Sequence, residues 1–279
     1  MDRMSLDSER VLDSVIRELL DDPVDLLLIG DSEGESAYLE HSRCSYLRTV
    51  QDIVGIVDKL ALERRAVRIL EIGAYLGAVS CTLARLGFSV TALDIPEFMA
   101  NERLKLRYAR YCVSTLSANL RDYSVPAESG AFTIVIMCET LEHLNFNPLP
   151  VLAEVNRVLA ADGYLYLALP NQASLVNRAK LLTGRSIHNP VSDFSAQLSR
   201  ESNMIVGIHW REYTALEMEE LLALQGFSII SHDFFTTHRA SFPARLMYLL
   251  FPRLRVNQTM VARKAAQTTT AFHFHQATR

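Results

Sequence analysis

Residues 69–95, ILEIGAYLGAVSCTLARLGFSVTALDI, restrict the fold of this chain more than any other stretch. A short apolar run ends in Glu71, and a loop with Gly73 and Gly77 follows. A helical segment, Leu76–Leu86, begins at once, and a second apolar run, Phe88–Leu93, ends in Asp94. Strand, glycine loop, helix and strand in this order make the first crossover of a parallel sheet. Glycine is needed where the loop must fold close over a ligand, because a side chain would fill that space. Asp94 ends its strand where a carboxylate can accept two hydrogen bonds from ribose hydroxyls. A glycine loop alone is a weak signal, and it is the context on both sides that makes it specific.

The same rhythm continues. Strands are predicted at Val67–Ile72, Phe88–Leu93, Tyr111–Leu116, Phe132–Met137, Tyr164–Leu169, Phe227–His232 and Val256–Arg263. Helices are predicted at Glu97–Arg110, Leu149–Leu159, Ala173–Leu182 and Thr214–Leu224, the last opened by a capping box of Thr214 and Glu217 and closed by Gly226. Alternating strands and helices predict an α/β fold, a Rossmann-like, seven-stranded, mainly parallel sheet with helices on both faces. Residues 1–65 read as a helical N-terminal extension that packs on or covers this domain. Leu6, Val11, Leu12, Val15, Ile16, Leu19 and Leu20 recur at helical spacing before Pro23, and a second periodic segment runs from Leu47 to Leu60. The main domain is expected over residues 66–264, with a lid-like insert at 184–211 and a disordered tail over 265–279.

Composition narrows the function classes. Hydrophobic residues make up 49% and the net charge is −4, so a full core is expected and no global attraction to nucleic acid or an anionic membrane. No nucleic-acid partner is expected. Cys44, Cys81, Cys112 and Cys138 show no C-x-x-C spacing, and the last three sit in apolar sequence, so reduced core thiols are expected. The start MDRMSLDSER lacks a secretory pattern, and no run reaches the ~20 apolar residues of a membrane span. A cytoplasmic location is expected. Residues 239–264 carry six basic residues and no acidic one, around LMYLLF at 246–251. The expectation there is a buried helix between the last two strands, with peripheral membrane contact as the alternative.

Glu71 gives the ligand a sign. A carboxylate ahead of the glycine loop suits a ligand with a positive amino group and repels pyrophosphate, which favours S-adenosylmethionine over NAD. EIGAYLG resembles the first motif of class I S-adenosylmethionine-dependent methyltransferases. FTIVIMCETLEHL at 132–144, VLAEVNRVLAADGYLYLALPN at 151–171 and HWREYTALEMEELLALQGF at 209–227 are similar to their later motifs, in the same order. The resemblance covers roughly residues 67–263 and is strongest to bacterial small-molecule and glycan O-methyltransferases of the ubiquinone O-methyltransferase type. It implies that Glu71 sits near the methionine end of the cofactor, above the loop of Gly73, Ala74, Tyr75 and Gly77. It implies that Asp94 binds ribose, that Ile95, Asn119 and Leu120 contact adenine, and that Cys138 and Glu139 line the pocket. Tyr75 departs from the family, standing where many members have a glycine, and Thr133 replaces the usual aspartate.

CETLEHL holds the candidate chemistry. His143 is the candidate general base, beside Glu139, because an unperturbed imidazole titrates near pH 6.5. The alternative role is a histidine that donates to backbone. E-x-x-E-H also offers a mixed oxygen and nitrogen ligand set, Glu139, Glu142 and His143, for Mg²⁺, Mn²⁺ or Zn²⁺. Ubiquinone-type O-methyltransferases carry a similar motif, used with a divalent ion and often joined by a later histidine, here His209 or His188. The alternative is an acidic helix start. Trp210, in the insert, is either a lid anchor or a stacking platform for the acceptor. The reading is an S-adenosylmethionine-dependent O-methyltransferase of a glycan or other small molecule. Its rivals are a C- or N-methyltransferase, a NAD-binding oxidoreductase and a catalytically silent binding module.

Overall fold

A computed structural model describes residues 3–24, 35–192, 208–237 and 240–265. Two helices open the chain, α1 (Arg3–Asp21) and α2 (Glu35–Lys59). Leu12, Val15, Ile16 and Leu19 of α1 are buried, as are Val50, Ile53, Val54 and Val57 of α2. The helix α2 begins well before the expected segment at Leu47. The α/β region then runs β1 (Arg68–Ile72), α3 (Ala78–Arg85), β2 (Ser89–Asp94), α4 (Pro96–Met99), α5 (Glu102–Arg110), β3 (Ser114–Ser117), β4 (Phe132–Cys138), α6 (Pro148–Val158) and β5 (Leu159–Pro170). It continues with α7 (Leu175–Leu182), α8 (Ala215–Leu224), β6 (Phe227–Phe235), α9 (Phe242–Leu250) and β7 (Asn257–Lys264).

The seven strands form one sheet in the order β3-β2-β1-β4-β5-β7-β6. All pairs are parallel up to β5, and β7 runs antiparallel to both β5 and β6. The strands β1 and β4 are buried almost without a break because helices cover both faces. One core lies between the sheet and α1–α5, so the N-terminal helices share it with the first crossover. The other lies under α6 and α8. The strand order reverses at β1, which opens a crevice at the carboxyl ends of β1 and β4.

Several boundaries differ from the sequence reading. The single helix expected over 97–110 is two, because the Asn101 side chain accepts from the N–H groups of Arg103 and Leu104 and starts a new helix. The strand expected at 111–116 begins at Ser114, since Tyr111 and Val113 still donate to the end of α5. Cys112 lies in that turn, in the left-handed region (φ 57°), and is exposed rather than core. The capping box forms as expected: Glu217 N–H donates to Thr214 Oγ1, and Thr214 N–H donates to Glu217 Oε2 at 2.8 Å. The helix expected around LMYLLF exists as α9, but it is not buried: Phe242, Leu246, Leu249 and Leu250 are exposed. It connects the end of β6 to the start of β7, and of its described side chains only Tyr248 is buried. The insert at 184–211 is described at its two ends, and its middle, 193–207, lies outside the described residues, as does the tail 266–279. Among the described residues no helix is long and apolar enough to cross a membrane.

Arg107 ties the extension to the α/β region. Its buried guanidinium donates to the carbonyls of Leu76, at 3.1 Å, and Asp22, at 2.7 Å, and approaches that of Leu19 at 3.5 Å. One cation therefore closes the carboxyl end of α1 and braces the glycine loop. Arg107→Met, which keeps the aliphatic volume, is expected to cost on the order of 2–4 kcal/mol, because buried carbonyls lose charge-assisted donors. Urea unfolding checks this, and an unchanged midpoint would exclude the brace.

Candidate active site

The site is built from the loop upward. Gly73 and Gly77 have φ of 77° and 81°, the left-handed region that favours glycine. A Cβ at Gly73 would fall on the Thr140 side chain, and one at Gly77 would stand 2.7 Å from the Tyr108 ring. The N–H groups of Gly73 and Ala74 donate to the Leu93 carbonyl and pin the loop to the end of β2. Tyr75 takes φ 46° although it is not glycine. Its N–H donates to Asp94 Oδ2 at 2.7 Å, its carbonyl accepts from Tyr108 Oη, and its ring packs edge-on against Tyr38 and Phe98. These contacts account for a tolerated tyrosine where the resemblance expects glycine.

Asp94 serves the loop as well as the crevice. Its Oδ1 accepts from Ile95 N–H at 2.8 Å, and each carboxylate oxygen keeps a second lone pair for a ligand. Burial raises its pKa to about 6. Glu71 is buried at the end of β1, accepts from Ser80 Oγ, and is pushed up to about 8 by burial. A ligand cation beside Glu71 would favour its ionised form.

Past β4 the chain turns sharply. Glu139 takes φ 49°, donates its N–H to the Ala168 carbonyl and accepts from Ser45 Oγ at 2.6 Å. Cys138 is buried, with Thr49 Oγ1 3.4 Å from its sulfur, and burial pushes its thiol well above the usual range. Glu142 is fully buried, and neither of its carboxylate oxygens has a hydrogen-bond partner. Burial lifts it to about 8. Nδ1 of His143 donates to the Ile208 carbonyl at 2.8 Å, which leaves Nε2 with its lone pair. Burial and the neighbouring His209 lower His143 to about 4, so the ring is neutral at pH 7. His209 sits edge-on to His143, with ring centroids 5.0 Å apart, and its Nδ1 faces Glu212 Oε1 at 3.3 Å. Burial lowers its pKa, but Glu212 and Glu142 outweigh that and leave it raised. Asn177 Nδ2 holds the other oxygen of Glu212 at 2.8 Å.

Most of these side chains border one cavity of about 680 Å³. It runs from Asp94, Ile95, Asn119 and Leu120 past Glu71, Gly73 and Cys138 to Glu139, Glu142, His143 and His209. Residues 70–167 match the family described as a methyltransferase domain. A ubiquinone biosynthesis O-methyltransferase from Xanthomonas oryzae pv. oryzae is 30% identical over 115 residues, 40% of this chain and 46% of that protein. One from Xanthomonas campestris pv. campestris is 31% identical over 106 residues, 38% of this chain and 44% of that protein. The matched stretch thus spans less than half the length of these relatives. An S-adenosylmethionine-dependent methyltransferase structure from Methanosarcina mazei shares the fold, with a TM-score of 0.53, 21% identity and coverage of 76% of this chain and 98% of that one. So does magnesium protoporphyrin IX methyltransferase from Synechocystis PCC 6803 with S-adenosylhomocysteine bound, with a TM-score of 0.53, 16% identity and coverage of 85% and 91%.

Residues 70–167 thus match a methyltransferase domain, set in the fold of S-adenosylmethionine-dependent methyltransferases.

Every cofactor-contact residue expected from the sequence borders the cavity of this domain except Gly77, which shapes the loop from behind. Of the four expected metal ligands, Glu142, His143 and His209 present ligand atoms within 4.8 Å of one another. Glu139 turns to Ser45 instead and falls outside that group. His188 is exposed and outside it too. Trp210 does not border the main cavity but an adjoining one of about 420 Å³, and Phe146 lines both. The sequence reading missed the wall supplied by α2: Tyr38, His41, Ser42, Ser45 and Tyr46. It also missed Thr140, Asn177 and Glu212. The spacing of α2 marks an amphipathic helix, and nothing local tells which of its polar residues meet a cavity.

Proposed function

We propose that this chain is an S-adenosylmethionine-dependent methyltransferase acting on a hydroxyl of a glycan or other small molecule. The observation that carries the reading is the single cavity that joins a ribose-type carboxylate, Asp94, to a buried cluster of Glu142, His143 and His209. Bound S-adenosylmethionine supplies a methyl group on a positive sulfonium, open to in-line displacement. Asp94 accepts from the ribose hydroxyls and Glu71 faces the amino end. Tyr38, Ser42 and Tyr46 of α2 wall the far side, where an acceptor is held and water excluded. A hydroxyl acceptor must lose its proton as its oxygen bonds the methyl carbon. His209 is placed to take it at Nε2, with Glu212 holding Nδ1–H and stabilising the cation that forms. His143, lowered to about 4, is the weaker base at neutral pH. The name of the Xanthomonas relatives supports oxygen as the acceptor atom.

A second reading is favoured by Glu142. A fully buried carboxylate with two oxygens lacking partners suits a cation. The Nδ1 atoms of His143 and His209 are both engaged by neighbouring oxygens, which aims each Nε2 as a metal ligand is aimed. These three residues would hold Mg²⁺, Mn²⁺ or Zn²⁺, whose charge would make an acceptor hydroxyl more acidic.

Thermal unfolding tests both. S-adenosylhomocysteine at ~100 times its dissociation constant is expected to add about 2.7 kcal/mol, and NAD nothing. A response to NAD alone sinks the methyltransferase reading. Mn²⁺ is expected to raise the midpoint further, and Glu142→Gln to abolish that rise. If Mn²⁺ has no effect on the parent protein, the metal reading goes and the His209 base stands.

A further inference from the structure

The helix α9 is amphipathic the wrong way round for a helix that packs on its own protein. Phe242, Leu246, Leu249 and Leu250 follow the spacing of one helical face, and Phe242 and Leu249 are 81% and 74% exposed. Phe251, just after the helix, is exposed as well. The opposite side is anchored by buried Tyr248, and Arg255 holds the element down by donating to the carbonyls of Phe234, at 2.7 Å, and Tyr248, at 3.5 Å. A continuous exposed apolar face of this kind marks an interaction surface.

Charge identifies what it meets. Arg245 lies on the exposed face and Arg253 in the turn beyond it, both exposed. No acidic residue occurs from 234 to the end of the chain. The acid before that, Asp233, faces Arg48 at 3.7 Å. A two-fold contact between copies through this face would bring two arginine-bearing surfaces together with no acidic residue of the segment to offset them, which disfavours a second copy as the occupant. Large aliphatic and aromatic side chains interleaved with arginine fit the boundary between acyl chains and anionic headgroups. The position fits too. Residues flanking α9, Thr237 and Val256, border the main cavity, and Asn257 sits in register with Pro170 at the end of β5.

We propose that α9 docks this protein on anionic lipid bilayers. Phe242, Leu246, Leu249, Leu250 and Phe251 enter the interface, Arg245 and Arg253 pair with headgroups, and the adjoining cavity opens beside the membrane surface. The proposal stands independently of the acceptor assigned above.

Flotation of the full chain with vesicles tests it. The parent protein is expected to float with phosphatidylcholine vesicles containing phosphatidylglycerol and much less with phosphatidylcholine alone. Arg245→Gln with Arg253→Gln is expected to weaken partitioning about thirty-fold, from roughly 1 kcal/mol per arginine at an anionic surface. Leu246→Asp with Leu249→Asp is expected to abolish it, with an unchanged circular dichroism spectrum. Failure of the parent to float on anionic vesicles, or flotation of both variants like the parent, would overturn the proposal. So would a dimer of the parent that the Leu246→Asp, Leu249→Asp pair dissociates, since the face would then be a self-contact.

Discussion

Asp94→Ala is expected to weaken S-adenosylhomocysteine binding on the order of 10²–10⁴-fold and to destabilise the protein even without ligand. Two effects add. The first is loss of two ribose hydrogen bonds to a charged acceptor, each of about 1.5–3 kcal/mol. The second is internal: Tyr75 N–H and Ile95 N–H both donate to this carboxylate. Without it, a loop already holding Tyr75 at φ 46° loses the bond that fixes it. The structural part is on the order of 1–3 kcal/mol per orphaned donor. Asp94→Asn separates the two, because the amide oxygen still accepts one N–H while the charge is lost. Calorimetry should give an intermediate affinity for the Asn variant and a lower unfolding midpoint for the Ala variant. Parent-like affinity in both variants would remove Asp94 from the ribose site.

Glu71→Gln is expected to flatten the pH dependence of stability and to weaken the pH dependence of cofactor affinity. Burial lifts the Glu71 carboxyl to about 8 from an ordinary 4.5. The folded state therefore binds this proton more tightly than the unfolded chain, and stability falls as pH rises from about 4.5 to about 8, then levels. At ~1.4 kcal/mol per unit, the loss for one such group is on the order of 5 kcal/mol, a shift of roughly 10 °C. Burial lifts Asp94 as well, to about 6, and Glu142 to about 8, so their contributions have the same sign and survive in the variant. A ligand amino group beside Glu71 reverses the effect by favouring the carboxylate, so S-adenosylhomocysteine should bind more tightly at pH 8 than at pH 6. Melting curves across that range decide the first point. A curve for Glu71→Gln parallel to the parent's would mean that Glu71 titrates as an ordinary carboxyl.

The loop side of the cavity was legible because it is local. Glu71, Gly73, Tyr75, Gly77 and Asp94 lie on one strand–loop–helix–strand unit, and its chemistry follows from neighbours in the chain. CETLEHL was legible as a cluster for the same reason, and so was the Thr214–Glu217 cap. The direction of each side chain was not. Glu139 and Glu142 both read as ligands, yet the turn at φ 49° sends Glu139 to Ser45, on a helix 94 residues away in the chain.

The sequence alone determined the order of strands and helices, the place of the glycine loop and the class of ligand, because period, glycine and charge act over a few residues. Only the tertiary structure decided which distant groups meet: α2 as a wall of the cavity, His209 rather than His188 beside His143, and Glu212 behind it. It also decided that α9 turns its apolar face outward. Hydrophobic period says that a helix has an apolar side, but what that side faces depends on what the rest of the chain leaves room to cover.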